Sequence, residues 1–222
     1  MLKQLSFFKR RPGMEIAAFQ EYWRTRHASI VKPLPGMVRY VQNHAVRPVM
    51  GDGDAPFDGV AEVWFENKSA MQANVGSDAL KRIREDEANF IDASSMGSLI
   101  TEEVLIVDGQ PPATAIKLIG LINRLALVSV ESFRDTWRDE LGAIISDLPG
   151  VARNVQSHVR MGIYRSGGTP EFDGMASLWF RDEAGWAEAG NSPAMQKVTT
   201  LEPTFIDHSK SALFRVEEVP IV

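Results

Sequence analysis

Phe19-x-x-x-Trp23, followed by Leu34-Pro35-Gly36, Val41-Gln42 and His44, decides the fold because it is written twice. It returns about 114 residues later as Phe133-Arg134-Asp135-Thr136-Trp137, Leu148-Pro149-Gly150, Val155-Gln156 and His158. With one residue of slippage, Phe57-Asp58-Gly59, Trp64-Phe65, Glu87 and Phe90-Ile91-Asp92 come back as Phe172-Asp173-Gly174, Trp179-Phe180, Glu202 and Phe205-Ile206-Asp207. A repeat of this length is a duplicated domain and not a solenoid unit. The duplication is also an internal control. Positions kept in both copies read as scaffold, and positions chemically distinctive in one copy read as candidates for function.

The rest of the composition bounds the answer. The chain has 222 residues, 44% apolar and 24% charged, which are ordinary globular values. Two halves of this size can each bury a core, and a packed pair buries a better one. The net charge of −5 comes with no basic stretch, so no nucleic-acid partner is expected. There is no cysteine, which excludes disulfides, thiol catalysis and zinc–thiolate sites. The opening MLKQLSFFKRRPG lacks the apolar core of a signal peptide, and no apolar run reaches membrane-spanning length. A soluble, cytoplasmic protein with no membrane partner is the expectation.

Each half opens with a strand, Leu2–Arg10 or Ile116–Arg124. A helix follows, with Ile16, Phe19, Trp23, His27 and Ile30 on one face, echoed by Val130, Phe133, Trp137, Leu141 and Ile144. Pro33 and Pro35-Gly36 end the first of these helices and Pro149-Gly150 the second. Strands are then predicted at Val38–Val46 and Gly59–Phe65, and at Ala152–Met161 and Gly174–Phe180. Loops holding Pro48, Gly51, Gly53 and Pro56, or Gly167, Gly168 and Pro170, separate them. A second helix is expected over Lys68–Phe90 and Glu183–Phe205, interrupted at Gly76-Ser77 and at Gly190–Pro193. A last strand falls at Leu99–Val107 and Ala212–Val219. The order is β-α-β-β-α-β twice, the ferredoxin-like unit. The predicted organisation is repeat 1 over 1–108, a Pro-rich linker over 109–115 and repeat 2 over 116–222. The fold class is α+β: two tandem ferredoxin-like halves whose sheets pack into a pseudo-dimeric α+β barrel.

Strand alternation suggests where a ligand goes. Ala61, Val63 and Phe65 form an apolar face suited to the helices, matched by Ala176, Leu178 and Phe180. Tyr40, Gln42 and His44, with Asn154, Gln156 and His158 in the copy, form a mixed face, and so do Glu62 and Trp64 against Ser177 and Trp179. The expectation is that these mixed faces line a partly polar barrel interior able to hold a small molecule.

The run Phe8-Lys9-Arg10-Arg11-Pro12-Gly13-Met14, then Phe19-x-x-Tyr22-Trp23-Arg24-x-x-His27-Ala28, Leu34-Pro35-Gly36 and Phe57-Asp58-Gly59-x-Ala61-Glu62-x-Trp64-Phe65, resembles the EthD family of the dimeric α+β barrel superfamily. The second half is similar to a diverged copy that keeps Trp137, Leu148-Pro149-Gly150 and Phe172-Asp173-Gly174. It carries Leu141 where the first half has His27, and it lacks the basic-Pro-Gly turn. The resemblance implies a tandem fusion of two subunits that usually dimerise. It also implies an association with small-molecule catabolism and aromatic polyketide tailoring, including dehydration and decarboxylation.

Histidine titrates near neutrality and suits proton transfer. His27 sits on the apolar helix stripe where the copy has leucine, so the fold does not require it. The competing reading is a core histidine bonded to backbone. His44 and His158 occupy matching positions and read either as pocket lining or as scaffold. Tyr40, replaced by Asn154 in the copy, can donate to a carbonyl or phenolate oxygen. Glu62 in an apolar cavity would be a raised-pKa acid or base, or else the partner of a cation such as Lys9 or Arg39. Trp64 and Trp179 suit a flat aromatic ligand or plain core filling. Lys9-Arg10-Arg11 is a solvated turn or an attractor of anions, and His208 a surface or capping residue. Asp58 and Asp173, each before glycine, fit turn chemistry. No nucleotide, P-loop, zincin or nucleophile-elbow motif is present, and the scattered histidines do not make a metal site.

These residues predict a cofactor-independent acid–base enzyme, best described as a lyase, dehydratase or decarboxylase, acting on a small aromatic or polyketide-like molecule. His27, His44 and Tyr40 would be catalytic. Glu62, Trp64, His158 and Trp179 would bind substrate. The rivals are a cofactor-free monooxygenase of phenols and a non-catalytic binding or structural barrel. Exposed outer strands leave room for a homodimer.

Overall fold

The computed structural model describes residues 1–49 and 53–222, apart from the side chains of Arg47 and Pro48; Gly51 of the predicted loop lies outside the described residues. The first repeat runs β1 (Leu2–Phe8), α1 (Ile16–Tyr22), a widened π turn at Trp23–His27, α2 (Ala28–Val31), β2 (Met37–Pro48), β3 (Gly59–Phe65), α3 (Lys68–Gln72), α4 (Asp78–Glu87) and β4 (Gly97–Val107). The second runs β5 (Ile116–Ile122), α5 (Val130–Asp135), a π turn at Thr136–Leu141, α6 (Gly142–Ser146), β6 (Val151–Val159), α7 (Met161–Arg165), β7 (Gly174–Phe180), α8 (Glu183–Gly190), α9 (Pro193–Leu201) and β8 (Ala212–Pro220). Both halves have the predicted βαββαβ order. The short α7 has no counterpart in the predicted order, and the breaks at Gly76-Ser77 and Gly190–Pro193 fall where expected. Asn67, Ser77, Asp182 and Ser192 cap the restarted helices by accepting a backbone N–H.

Hydrogen-bonded strand neighbours follow the order β1-β3-β2-β8-β5-β7-β6-β4 in a closed ladder, the α+β barrel class. The chain divides into two compact units, Met1–Thr101 with Glu217–Val222, and Glu102–Val216. The divisions fall inside β4 and β8, so each unit includes the end of the other repeat's last strand.

In the first unit β1 lies between β3 and β4, with Leu5 opposite both Glu62 and Leu99. On the other side of β3, Tyr40 faces Val63, Gln42 faces Ala61 and His44 faces Gly59. Residues directly opposite across an antiparallel pair share a face. This corrects the assignment of Tyr40, Gln42 and His44 to a barrel interior with Glu62 and Trp64. They share the helix-covered face with Ala61 and Val63, while Val41 and Arg39 share the other with Glu62 and Trp64. The second unit repeats this: Gln156 faces Ala176 and His158 faces Gly174. Polar residues beneath the helices have a physical reason. In each π turn one carbonyl, of Trp23 or Trp137, accepts a bond five residues on, from Ala28 or Gly142. The same carbonyl accepts from the glutamine below, Gln42 Nε2 at 2.8 Å or Gln156 Nε2 at 2.7 Å.

The same tryptophans explain the repeated Phe-Asp-Gly. A Cβ on Gly59 would come within 2.5 Å of the Trp23 ring, and one on Gly174 within 2.7 Å of Trp137. The preceding aspartates tie down the ends of β1 and β5, Asp58 accepting from the Arg10 N–H and Asp173 from the Arg124 N–H. Among the described residues no helix is long and apolar enough to cross a membrane.

Candidate functional site

The core of the first unit packs Phe8, Phe19, Trp23, Tyr40, Ala61, Ile83, Phe90 and Ile91 between the sheet and the helices. Beside it is a cavity of about 610 Å³, within the range of small-molecule sites. Apolar walls come from Phe8, Trp23, Val31, Leu34, Ala61, Val63 and Ile83, and the polar lining includes His27, Tyr40 and Glu87. Residues Leu80, Ile83, Arg84, Glu87, Ala88 and Ile91 line it at helical spacing along α4 and just beyond. The exposed lining residues Arg84, Ala88, Ala93 and Ser98 mark its opening.

His27 leaves the π turn buried, with Nδ1 2.9 Å from Asp86 Oδ2. The Tyr22 hydroxyl donates to Asp86 Oδ1 at 2.7 Å. Burial holds His27 below the ordinary imidazole range, and Asp86 opposes this only in part. Burial pushes Asp86 up, but the bonds from Tyr22 and His27 outweigh it and hold the carboxyl below its ordinary range. A neutral imidazole therefore faces an ionised carboxylate. The proton is fixed on Nδ1 and Nε2 is left as the basic nitrogen. This is the base-plus-orienter arrangement of acid–base catalysis.

Tyr40 is the second element. Its hydroxyl accepts from Trp23 Nε1 and from Gln42 Nε2, each at 3.0 Å. Gln42 Oε1 lies 2.9 Å from His44 Nε2, so that nitrogen carries the proton and fixes the glutamine's orientation. With both acceptor positions of its oxygen used, Tyr40 has its own proton left to donate. Burial raises its pKa far above the ordinary phenol value, so it is a donor at any physiological pH.

His44 itself is buried against Trp23, ring centres 4.5 Å apart, and burial, with Arg24, lowers its pKa to about 3. His158 repeats this against Trp137 at 4.4 Å, bonded to Gln156 Oε1 at 2.9 Å, also lowered to about 3. The shared geometry is that of a brace beneath the π turn, and neither histidine lines the cavity. Glu62 pairs with Lys3, which neither expected partner supplied, and accepts from Asn43 at 2.8 Å. Trp64 lies under Lys3 and Arg39, and Trp179 under Lys117. Of the predicted site residues, His27 and Tyr40 come together. His44 stands behind them, Glu62 and Trp64 lie on the other face of the sheet, and His158 and Trp179 belong to the second unit.

Sequence reasoning missed Asp86, Tyr22 and Glu87. The signal was available in the repeat, because the copy has Leu201, Thr136 and Leu141 where the first half has Asp86, Tyr22 and His27. In the second unit Leu141 and Leu201 join Phe133, Trp137, Val198, Phe205, Ile144 and Met195 in an aliphatic and aromatic core.

The EthD domain matches this chain twice, over residues 11–94 and 127–209. No curated protein matches it. Among solved structures it is similar to an anthrone oxidase-like protein, at 10% identity and a TM-score of 0.67, covering 99% of this chain and 93% of that one. A protein of Fusobacterium nucleatum subsp. nucleatum ATCC 25586, provisionally described as a monooxygenase, aligns at 8% identity and a TM-score of 0.62, with 98% and 91% covered. A mutant chlorite dismutase from Candidatus Nitrospira defluvii aligns at 10% identity and a TM-score of 0.56, with 97% and 91% covered. At these identities the likeness concerns fold.

Proposed function

The chain belongs to the EthD family as two fused copies of its domain, and from that premise we propose that the first copy is a cofactor-independent acid–base enzyme acting on a small aromatic or polyketide-like molecule. The observation that carries this is the His27–Asp86 pair, 2.9 Å apart, at the wall of an apolar cavity with Tyr40 in the same lining. His27 Nε2 takes a proton from substrate. Asp86 holds the ring and stabilises the imidazolium that forms. Tyr40 donates to the oxygen on which negative charge develops. Phe8 and Trp23 offer flat surface to an aromatic ring. A lyase reaction uses every one of these groups. The sequence-level roles for His44, Glu62, Trp64, His158 and Trp179 are not needed by this arrangement.

A second reading has one specific support. A base buried in an apolar cavity also generates a phenolate, and an electron-rich phenolate is what a cofactor-free oxygenase presents to dioxygen. Two of the solved structures named above carry oxidase or monooxygenase descriptions.

The test is a panel of hydroxylated aromatic ketones, phenols and aromatic acids incubated with the wild type and with His27→Leu, read by mass spectrometry and an oxygen electrode. Loss of water or carbon dioxide without oxygen uptake, abolished in His27→Leu, is the expected result. Oxygen uptake with an oxygenated product selects the second reading. Equal turnover by His27→Leu overturns both.

A further inference from the structure

Glu87 is present in both copies, yet its surroundings differ. Its counterpart Glu202 lies 3.6 Å from His208. In the first half the position of His208 is taken by Ala93, which lines the cavity together with Glu87. Among the described residues no hydrogen bond or ion pair reaches the Glu87 carboxyl. Both acids are half-buried and held above the ordinary carboxyl range by burial, but His208 opposes this at Glu202, whereas Glu87 has Ala93 at that position and faces the cavity. Asp86 and Arg84 from α4 and Tyr40 from β2 act on Glu87 electrostatically, and His27 from the π turn shares the cavity lining with it. Among the described residues that line the cavity Arg84 is the cation, and it is exposed, so among them no buried positive charge waits for an anion.

We propose that Glu87 is the second proton-carrying group of this cavity, and that the site takes an uncharged, hydroxylated carbonyl compound and not its carboxylate analogue. The proposal rests on the His27 reading above and narrows the lyase to a dehydratase. His27 Nε2 takes the proton from the carbon beside a carbonyl whose oxygen Tyr40 holds. That electron pair forms a carbon–carbon double bond as the bond to the neighbouring hydroxyl breaks. Protonated Glu87 gives its proton to the departing hydroxyl, which leaves as water. Imidazolium and carboxylate remain, and passing one proton from His27 to Glu87 restores both. The acid form is available, because burial, with Asp86 acting in the same sense and Arg84 against it, raises Glu87 to about 7. Decarboxylation would place a second anion beside ionised Asp86, an unfavourable juxtaposition in an apolar cavity.

The test is a carboxyl ¹³C NMR titration of Glu87 in the wild type and in Ala93→His, with binding of 2-naphthol and 2-naphthoate measured at neutral pH in both and in Glu87→Gln. Glu87 is expected to titrate near neutrality and to move down in Ala93→His, where a cation returns beside it. 2-Naphthol should bind at least about tenfold tighter than 2-naphthoate, a gap equal to one pH unit of free energy, and Glu87→Gln should narrow it. Glu87 titrating in the ordinary carboxyl range, unmoved by Ala93→His, overturns the proposal. Equal binding of the two probes to the wild type does the same, and if neither binds the titration decides alone. Either overturning result beside a turnover-dead His27→Leu removes the role of Glu87 and leaves the cavity's function standing.

Discussion

The two halves carry the same frame and different contents. Trp23 and Trp137 each sit in a π turn over a glutamine and a buried histidine, each against a glycine that leaves room for the indole. On that common frame the first half places His27, Asp86, Tyr22 and Tyr40, and the second Leu141, Leu201, Thr136 and Asn154. The difference teaches that the π turn and its brace are what the fold requires, while the polar constellation is dispensable to folding. A fold that stands with leucines at these positions does not need the buried His–Asp pair, and the proposed acid–base chemistry supplies a reason to keep it.

The comparison breaks most directly at His27. His27→Leu copies the second half, and turnover should fall by roughly 10²–10⁴-fold, the usual contribution of a positioned general base. Its melting temperature should fall modestly, because buried Asp86 loses a donor, and His27→Leu with Asp86→Leu should restore it, since the pair then packs as Leu141 and Leu201 do. Turnover assays beside thermal scans check both. Tyr40→Phe comes next. Losing the donor should cost on the order of 10²–10³-fold in kcat, as for other donors to a developing oxyanion. Stability should fall too, because Trp23 Nε1 and Gln42 Nε2 lose their acceptor.

The braces sharpen the comparison from the side of likeness. Gln42→Ala and Gln156→Ala should each destabilise by about 1–3 kcal/mol, the cost of stranding buried polar groups. At roughly 2–4 °C per kcal/mol for a chain of this size, calorimetry resolves that. The two should match in melting temperature and differ in turnover, which only Gln42→Ala lowers, because only Gln42 also holds a tyrosine.

The smallest effect is in pH dependence. Glu87 is raised in the folded state, so that state binds more protons than the unfolded chain between about 4.5 and 7 and loses stability as pH rises through this window. Glu87→Gln should remove that loss. His44 and His158 are lowered to about 3, so their contribution has the opposite sign: it is present above about 6.5 and is lost as pH falls toward 3. Melting curves of the wild type minus those of Glu87→Gln, taken across pH, isolate the glutamate from the histidines.

Much of this was legible in the sequence for a definite reason. The duplication doubled each helix stripe and each turn, so the order of elements and the special status of His27 against Leu141 could be read directly. The site's other members could not be read as easily. Asp86 and Glu87 stand in the charged run Arg84-Glu85-Asp86-Glu87, which resembles a solvated helix face, and only the fold brings Asp86 to His27 across 59 positions. Tyr40 and His44 were placed on the wrong face because alternation separates the two faces of a strand without saying which face the helices cover. Cross-strand register settles that, and it depends on pairing between distant segments. The usual expectation of an apolar helix-facing surface failed where the π turn's carbonyl needed a glutamine beneath it.

The central claim is that, among the histidines, ligand chemistry is confined to His27 while His44 and His158 are matched braces. Histidine-selective ¹⁵N NMR of the wild type, before and after addition of the best ligand from the phenol and ketone panel, tests it most directly. The account predicts that His27 is neutral with its proton on Nδ1 and shifts on ligand addition, while His44 and His158, neutral with their protons on Nε2, stay unmoved. A silent His27 with shifts at His44 or His158 would contradict it.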